Sequence, residues 1–271
     1  MIKKYNYIAR ASAGKSEKLR LAIQNKIFGP GTEEFITPFL KSNMTALIVG
    51  CGTGEKTCFI AKNIGPTGKV VAIDLDEKQL EQAKIKVTEN AITNVEIHQM
   101  DLMDVSTLPY LFDFAFSRLV LTHVPDPITA IKCIINKLKS RGRLACEEPV
   151  VSAAYSIPKS PVFTRHIELL KQYGCAVGVD FDLGNKLKRI FTSVGLEEVT
   201  EQISQPTMAT PEIKKLIPMS LAACAKGYLA QGLATESEIE DLISRLNTEI
   251  VNNENYVIKQ VKVHQVTGLR R

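Results

Sequence analysis

The sequence contains no tryptophan, and aromatic residues make up only 6% of its 271 positions. It carries no basic patch interleaved with aromatics, which a dedicated nucleic-acid module would need. No apolar run approaches the roughly 20 residues needed to span a bilayer, so no membrane span is expected. The opening stretch MIKKYNYIAR lacks the long apolar core of a secretory signal. Six cysteines are present, at 51, 58, 133, 146, 175 and 224, but none forms a Cys-x-x-Cys pair. No histidine stands at metal-ligand spacing from them, so no metal site is expected. Cys58, Cys133 and Cys146 fall in apolar patterns and read as small core residues. A reducing, cytoplasmic setting is expected.

What is there begins with charge. The net charge of +5 is modest and unevenly placed. Residues 1–26 hold seven basic side chains against the single acid Glu17, so this segment carries +6 and the remainder −1. Such a helix suits an anionic substrate, a nucleic acid or a membrane surface, and it equally suits a solvated helix face. Otherwise the composition is that of an ordinary globular chain, long enough to bury a substantial core.

From about residue 45 to 150, strand and helix patterns alternate. TALIVG is a short apolar run ending at glycine. EKTCFIAKNIG has helical spacing at Cys58, Ile60, Ala61 and Ile64 and stops at Gly65-Pro66. GKVVAIDL, NVEIHQMD, LFDFAFSRLVL and GRLACEEP read as four further strands. DEKQLEQAKIKVTENA and DPITAIKCIINKLKSRG read as helices, the second opening with Asp126 as N-cap and Pro127 at the first helical position. This rhythm predicts an α/β fold with a mostly parallel sheet covered by helices on both faces. Beyond Pro149 the rhythm changes. VSAAYSIPKSPVF reads as a connection, and residues 162–173, 185–194, 211–231 and 235–252 read as helices, the last with a capping box at Thr235 and Glu238. LEEVTEQISQ alternates like a strand, and NYVIKQVKVHQVTGLR reads as one final strand, antiparallel at a sheet edge.

The stretch TALIVGCGTGEKT, residues 45–57, carries the chemistry. Gly50, Gly52 and Gly54 link a strand to a helix, so backbone amides gather at a helix N-terminus. Asp74 follows Gly54 by twenty residues, at the end of the second strand, where a carboxylate can accept both hydroxyls of a ribose. A dinucleotide site wants Gly-x-Gly-x-x-Gly. Here the third glycine's place is held by Glu55, and a carboxylate repels a pyrophosphate. The spacing suits a nucleoside whose other end carries no phosphate, which sets a nicotinamide-dependent oxidoreductase behind.

LIVGCGTG, GPTGKVVAIDLDEKQLEQAK, IHQMDLMD, FDFAFSRLVLTHVPDP and LKSRGRLACEEP, taken in that order, resemble the motifs of class I S-adenosylmethionine-dependent methyltransferases of the group acting on small molecules. The resemblance covers about residues 45–150. It implies a Rossmann-like seven-stranded mostly parallel sheet with a helical cover: residues 1–44 as an N-terminal cover, and 45–271 as the methyltransferase domain with substrate-cover insertions near 150–185 and 207–252. It implies S-adenosyl-L-methionine as cofactor, with Gly50, Cys51, Gly52 and Gly54 running backbone against its methionine part and ribose. Asp74 would bind the ribose hydroxyls, Leu75 and Gln79 would line the adenosine, Asp101 would take the adenine amino group and Leu102 would flank the ring. Ser117 and Arg118 would sit beside the methionine portion. Tyr7 and Gln24, in the N-terminal cover, are further candidates. One position departs from the family: the acid common two residues before the first glycine is Ile48. That departure keeps a non-catalytic binding or regulatory protein of the same fold as an alternative.

The expected reaction is in-line displacement of a methyl group onto a small-molecule acceptor. A weak nucleophile needs a base, and His123, His166 and Glu147 are the catalytic candidates. Each has a plainer alternative: loop architecture for His123, a surface-helix position for His166 and pairing or capping for Glu147. No Asn-Pro-Pro-aromatic signature is present, which counts against nucleic-acid substrates. A homodimer is compatible with the sequence.

Overall fold

The protein was analysed as a computed structural model that describes residues 15–271. Tyr7 lies outside the described residues. The chain begins with α1 (Lys15–Ile36), which keeps Gly29, Pro30 and Gly31 in its interior. Proline and glycine weaken a helix there, and distant side chains compensate. Lys56 Nζ donates to the Gly29 carbonyl at 3.3 Å, and Gln265 Nε2 donates to the Gly31 carbonyl at 3.1 Å.

The alternating part follows as read. It comprises β1 (Thr45–Val49), α2 (Glu55–Ile64), β2 (Lys69–Asp74), α3 (Glu77–Glu89), β3 (Val95–Gln99), β4 (Phe112–Arg118), α4 (Pro127–Asn136) and β5 (Leu138–Val150). Asp76 caps α3 by accepting from the Lys78 and Gln79 amides, and Asp126 caps α4 through Thr129 N, with Pro127 at the first position. α4 stops earlier than its apolar pattern suggests. Lys137 closes the turn onto Ile134 and Ile135, its Nζ donates to the Leu108 carbonyl, and residues 138–142 start β5 instead.

The remainder comprises β6 (Tyr155–Ile157), α5 (Pro161–Val177), α6 (Gly184–Ser193), β7 (Glu197–Ser204), β8 (Thr207–Met208), α7 (Pro211–Lys214), α8 (Leu216–Ala230), α9 (Glu236–Arg245), a π-helical turn (Leu246–Val251), β9 (Val257–Lys259) and β10 (Lys262–Leu269). Thr235 caps α9 through Glu238 N. The segment expected as one edge strand is two strands in different sheets. Gln260 N donates to Pro206 O while its side chain accepts from Val261 N, and this breaks the run. β9 joins β6 and β8 in a small sheet, and β10 enters the main one. There β10 is antiparallel as expected, but it is interior, paired with both β5 and β7, and β7 is the edge.

The main sheet has seven strands in the order β3-β2-β1-β4-β5-β10-β7, parallel from β3 to β5. Its two faces are covered by separate apolar clusters. Val49, Val71 and Leu144 pack with α4 and α6, while Ile48, Val70 and Phe114 pack with α2 and the end of α1. A third cluster lies off the sheet, among α1, α5, α8 and α9, around Phe28, Leu169, Leu221 and Leu242. Chain order reverses between β1 and β4, and a ligand crevice opens beyond such a reversal, at the carboxyl ends of the strands.

Candidate functional site

The turn after β1 is built around its glycines. Gly50 and Cys51 donate to the Ile73 carbonyl at 2.8 and 3.0 Å, folding the turn over the end of β2. Gly50 has φ +68°, and a Cβ there would stand 2.2 Å from Val120 Cγ2. Gly54, with φ +87°, caps α2 in a left-handed conformation, and a Cβ would press on the backbone of Ala83 at 3.0 Å. Both positions therefore require glycine.

This turn forms one end of a cavity of about 340 Å³ that runs from the strand ends to the helical cover. Asp74, at the tip of β2, faces it. One carboxylate oxygen accepts from Gly52 N at 2.8 Å and the other from Asp76 N at 3.0 Å. Each oxygen keeps a free lone pair for a ligand hydroxyl. Burial raises the Asp74 pKa, with the amides of Asp76, Gly52 and Leu75 acting against it. Asp101 faces the same end, 5% exposed, and accepts from Met103 N at 2.9 Å as cap of the short turn Leu102–Thr107. Leu75, Gln79 and Leu102 line this end with Cys51, whose thiol pKa burial and the Asp74 charge push well up.

Arg118 ends β4 and lines the cavity. It donates to Thr32 Oγ1 at 3.1 Å and to Asn25 Oδ1 at 3.5 Å, both on α1. Burial lowers its pKa, and the Glu147 carboxylate opposes the shift. Lys56, from α2, joins α1 through Glu33 at 2.6 Å. Gln24 also faces the cavity. Ile48 is 2% exposed and touches the wall, and the polar groups beside it on that wall come from α1 and Arg118 rather than from β1. Ser117 is fully buried, off the cavity wall, with no partner for Oγ among the described residues.

The three catalytic candidates separate. His123 and His166 both line the cavity, and burial lowers each imidazole to about 4, so both rings are uncharged near neutral pH. His166 sits on a buried face of α5, not on a surface helix. Glu147 lies outside the main cavity, 1% exposed. It accepts from Thr32 Oγ1 at 2.8 Å and from Gln265 Nε2.

Two groups were expected near the site but could not be placed from the sequence: the acid next to Glu147 and the side chains of the helical cover. Glu148 is fully buried and its carboxyl accepts from the amides of Val120, Leu121 and Thr122 at 2.8–3.1 Å. It thereby holds the loop that places Val120 against Gly50 and His123 on the wall. Burial drives its pKa up to about 8 against those three amides. Nothing in the sequence separates it from its neighbour Glu147. The second group is the cover wall: Phe163, His166, Ile167 and Leu170 on α5, and Leu216, Ile217, Ser220, Ala223 and Cys224 on α8. Their i, i+3, i+4 spacing was legible, but it could not say what they faced.

The fold agrees with comparisons to known proteins. The methyltransferase domain family model matches residues 40–195. The chain belongs to that family. The demethylmenaquinone methyltransferase of Lactococcus lactis is 34% identical over 128 residues, 47% of this chain and 48% of that protein. The chain thus spans about half the length of the curated relatives it matches. Among solved structures, a phosphoethanolamine N-methyltransferase of Haemonchus contortus in complex with S-adenosylhomocysteine superposes with TM-score 0.62 at 16% identity, covering 98% of this chain and 60% of that one. The [4+2]-cyclase SpnF superposes with TM-score 0.53 at 18% identity, covering 98% and 86%. At such identities these structures share the fold.

Proposed function

We propose that the chain is an S-adenosylmethionine-dependent methyltransferase acting on a small-molecule acceptor. The observation that carries this is the pairing of the glycine turn with Asp74 at one end of a single cavity. Gly50 leaves no room for a side chain beside Val120, and Asp74 is already aimed by two amides with lone pairs to spare. These features fit the cofactor. When bound, it supplies a methyl group on a sulfonium whose leaving group is a neutral thioether.

In this reading Asp74 accepts the ribose hydroxyls, Asp101 takes the adenine amino group, and Leu75, Gln79 and Leu102 pack around the nucleoside. Arg118 lies at the methionine end beside Asn25 and Gln24 of α1, where its cation suits the methionine carboxylate; Ile48 leaves β1 without an acid for the ammonium. Glu147 acts as the buried counter-charge that holds Arg118. Ser117, packed behind the wall, supports that strand end. α1, α5, α8 and the segments 150–185 and 207–252 close over the acceptor and exclude water, so that alignment supplies much of the rate. His123 and His166 are acceptor-facing groups; uncharged and weakly basic, they orient the acceptor more than they deprotonate it.

The demethylmenaquinone methyltransferase names of the relatives support an apolar small-molecule acceptor, and no membrane-crossing helix is present among the described residues. Six free thiols support a cytoplasmic location. The partner is a small molecule rather than a nucleic acid; light scattering tests for a homodimer. Glu55 on the cavity wall, where a dinucleotide's third glycine would be, disfavours a nicotinamide cofactor.

Isothermal titration with S-adenosylmethionine and S-adenosylhomocysteine tests the reading. Micromolar binding of either is expected, and the Asp74→Ala variant loses about 100-fold, as two charge-assisted hydrogen bonds would give. Absence of binding at millimolar ligand overturns the reading and favours a non-catalytic protein of this fold. Unchanged affinity in Asp74→Ala overturns the ribose assignment.

A further inference from the structure

This inference rests on the methyltransferase reading and concerns the other end of the same cavity. The wall is sorted by charge. Four acids reach it, Glu55, Asp74, Asp76 and Asp101, at the start of α2, at and just after the tip of β2, and just after β3. Each is already engaged: Glu55 with Lys86 and Thr53, the other three with backbone amides.

The far end is built by α1, α5 and α8, and its lining is mostly apolar, with Leu21, Phe28, Phe163, Leu170 and Ile217 beside the uncharged polar side chains of Gln24, Asn25 and Ser220. The acids carried by those helices, Glu17, Glu33, Glu34 and Glu168, do not reach the wall. Residues 1–14, which precede the described chain, contain no Asp or Glu and so bring no counter-charge either. The formal charge that the three helices bring to the wall is Arg20. It is paired with Glu17 at 2.7 Å; behind the larger effect of burial, its charge lowers the pKa values of His123 and Cys224, and at Cys224 the Glu17 charge acts against it.

An ammonium group entering this end would exchange water for a largely apolar wall that none of the acids of α1, α5 and α8 reaches, beside an Arg20 guanidinium already paired with Glu17. That transfer is strongly unfavourable. An uncharged hydroxyl or carbonyl meets no such penalty if one polar partner is present. His166 supplies that partner. Its ring is 5% exposed, lines the cavity, and lies at 6.2 Å from the Phe163 ring, which confines its orientation.

We infer that the methyl acceptor is an uncharged apolar molecule bearing a hydroxyl or carbonyl group, which binds with that group at the His166 imidazole and is selected against amines.

Three probes of one shape separate the terms: naphthylmethanol, naphthylmethylamine and methylnaphthalene. Each is titrated calorimetrically near neutral pH, with and without saturating S-adenosylhomocysteine. The alcohol is expected to bind at least about tenfold tighter than the ammonium form of the amine, the ratio that one unpaired buried charge readily produces. His166→Leu is expected to weaken the alcohol about fivefold and leave methylnaphthalene unchanged, the loss of one net hydrogen bond. His166→Gln, which keeps a donor and an acceptor, should hold the alcohol within about twofold; its melting curve reports that the cover is folded.

An amine that binds as tightly as the alcohol overturns the inference, as does an alcohol that does not bind at millimolar concentration. Equal losses for alcohol and hydrocarbon in His166→Leu overturn the role of His166. Failure of S-adenosylhomocysteine to bind is a separate result. It sinks the cofactor reading, while the probe titrations without it still decide the charge preference.

Discussion

The two ends of the cavity are made in different ways. The glycine-turn end is written in short contiguous stretches. Gly50–Gly54, Asp74 and Asp101 each sit at the tip of a parallel strand, and the sheet brings those tips together without further help. The helical end is assembled from pieces far apart in sequence: α1, α5 and α8, joined in their own apolar cluster. The first end is held by backbone geometry and amide hydrogen bonds. The second is held by packing and carries the uncharged His166 where the first carries acids. The same chain thus separates a binding turn set by backbone geometry from a mostly apolar cover set by helix packing.

Acid should break this comparison most strongly. His166 on α5 and His123 on the loop after β4 both line the cavity, and both fall from the ordinary 6.5 to about 4 on folding, because burial penalises the charged ring. A base with a depressed folded pKa takes up protons more readily when unfolded. Its stabilising contribution is therefore full above pH 6.5 and is lost as pH falls toward 4. Each ring contributes at most about 3 kcal/mol over that window. Glu148 has the opposite sign. Its pKa rises on folding from the ordinary 4.5 to about 8, so the stability it contributes is full below 4.5 and is lost as pH climbs from there to about 8. Urea titrations across this range should show a stability maximum near neutral pH. His166→Leu should flatten the acid limb and Glu148→Gln the alkaline one. An acid limb unchanged in His166→Leu would show that this ring is not buried uncharged.

At the glycine-turn end the sharpest break is Gly50→Ala. The new Cβ meets Val120 Cγ2 and sits on a residue with φ +68°. About 2–3 kcal/mol of stability should go, from backbone strain and overpacking together. S-adenosylhomocysteine affinity should fall with it. Adding Val120→Ala should restore the packing share but not the strain. A double variant no better than Gly50→Ala would mean that strain alone sets the cost.

This contrast also explains what could be read beforehand. The turn, Asp74, Asp101 and the order of the parallel strands were legible because strand–turn–helix chemistry is local. Asp126 caps its helix as its place before Pro127 suggested. Glu147 and Glu148 were not separable, because adjacent residues on a strand point to opposite faces and the sequence does not say which face meets the cavity. Glu147 turns to Thr32 and Gln265, and Glu148 to the amides after β4. The final strand was misplaced for a related reason. β9 and β10 have one continuous β-like pattern, and the break at Gln260 depends on Pro206, more than fifty residues earlier. Long-range pairing of this kind leaves no local signal.

The helical end offers a buried cation for the next test. Lys214 is fully buried, and its ammonium donates to the carbonyls of Asn253 and Tyr256 at 2.7 and 2.9 Å. Burial lowers its pKa. Lys214→Leu should cost about 1–3 kcal/mol by leaving two carbonyls unpaired. Because those carbonyls belong to the cover, S-adenosylhomocysteine affinity should stay within about twofold. A large loss of affinity would show that the two ends are coupled through the cover rather than built separately.

The smallest effect should come from the most visible contact between cover elements. Lys26 on α1 and Glu212 on α7 form an ion pair at 2.9 Å, but their side chains are 58% and 66% exposed. In water such a pair gains little Coulomb energy and costs side-chain entropy, so Lys26→Ala should change stability by less than about 0.5 kcal/mol. The change should shrink further in high salt. If α1 is held on the cover by Ile23 and Phe28 packing among α5 and α8 residues, the pair is dispensable. A loss of several times that size, sensitive to salt, would show that charge rather than apolar packing seats α1 over the cavity, and the account of the helical end would have to be rebuilt on that footing.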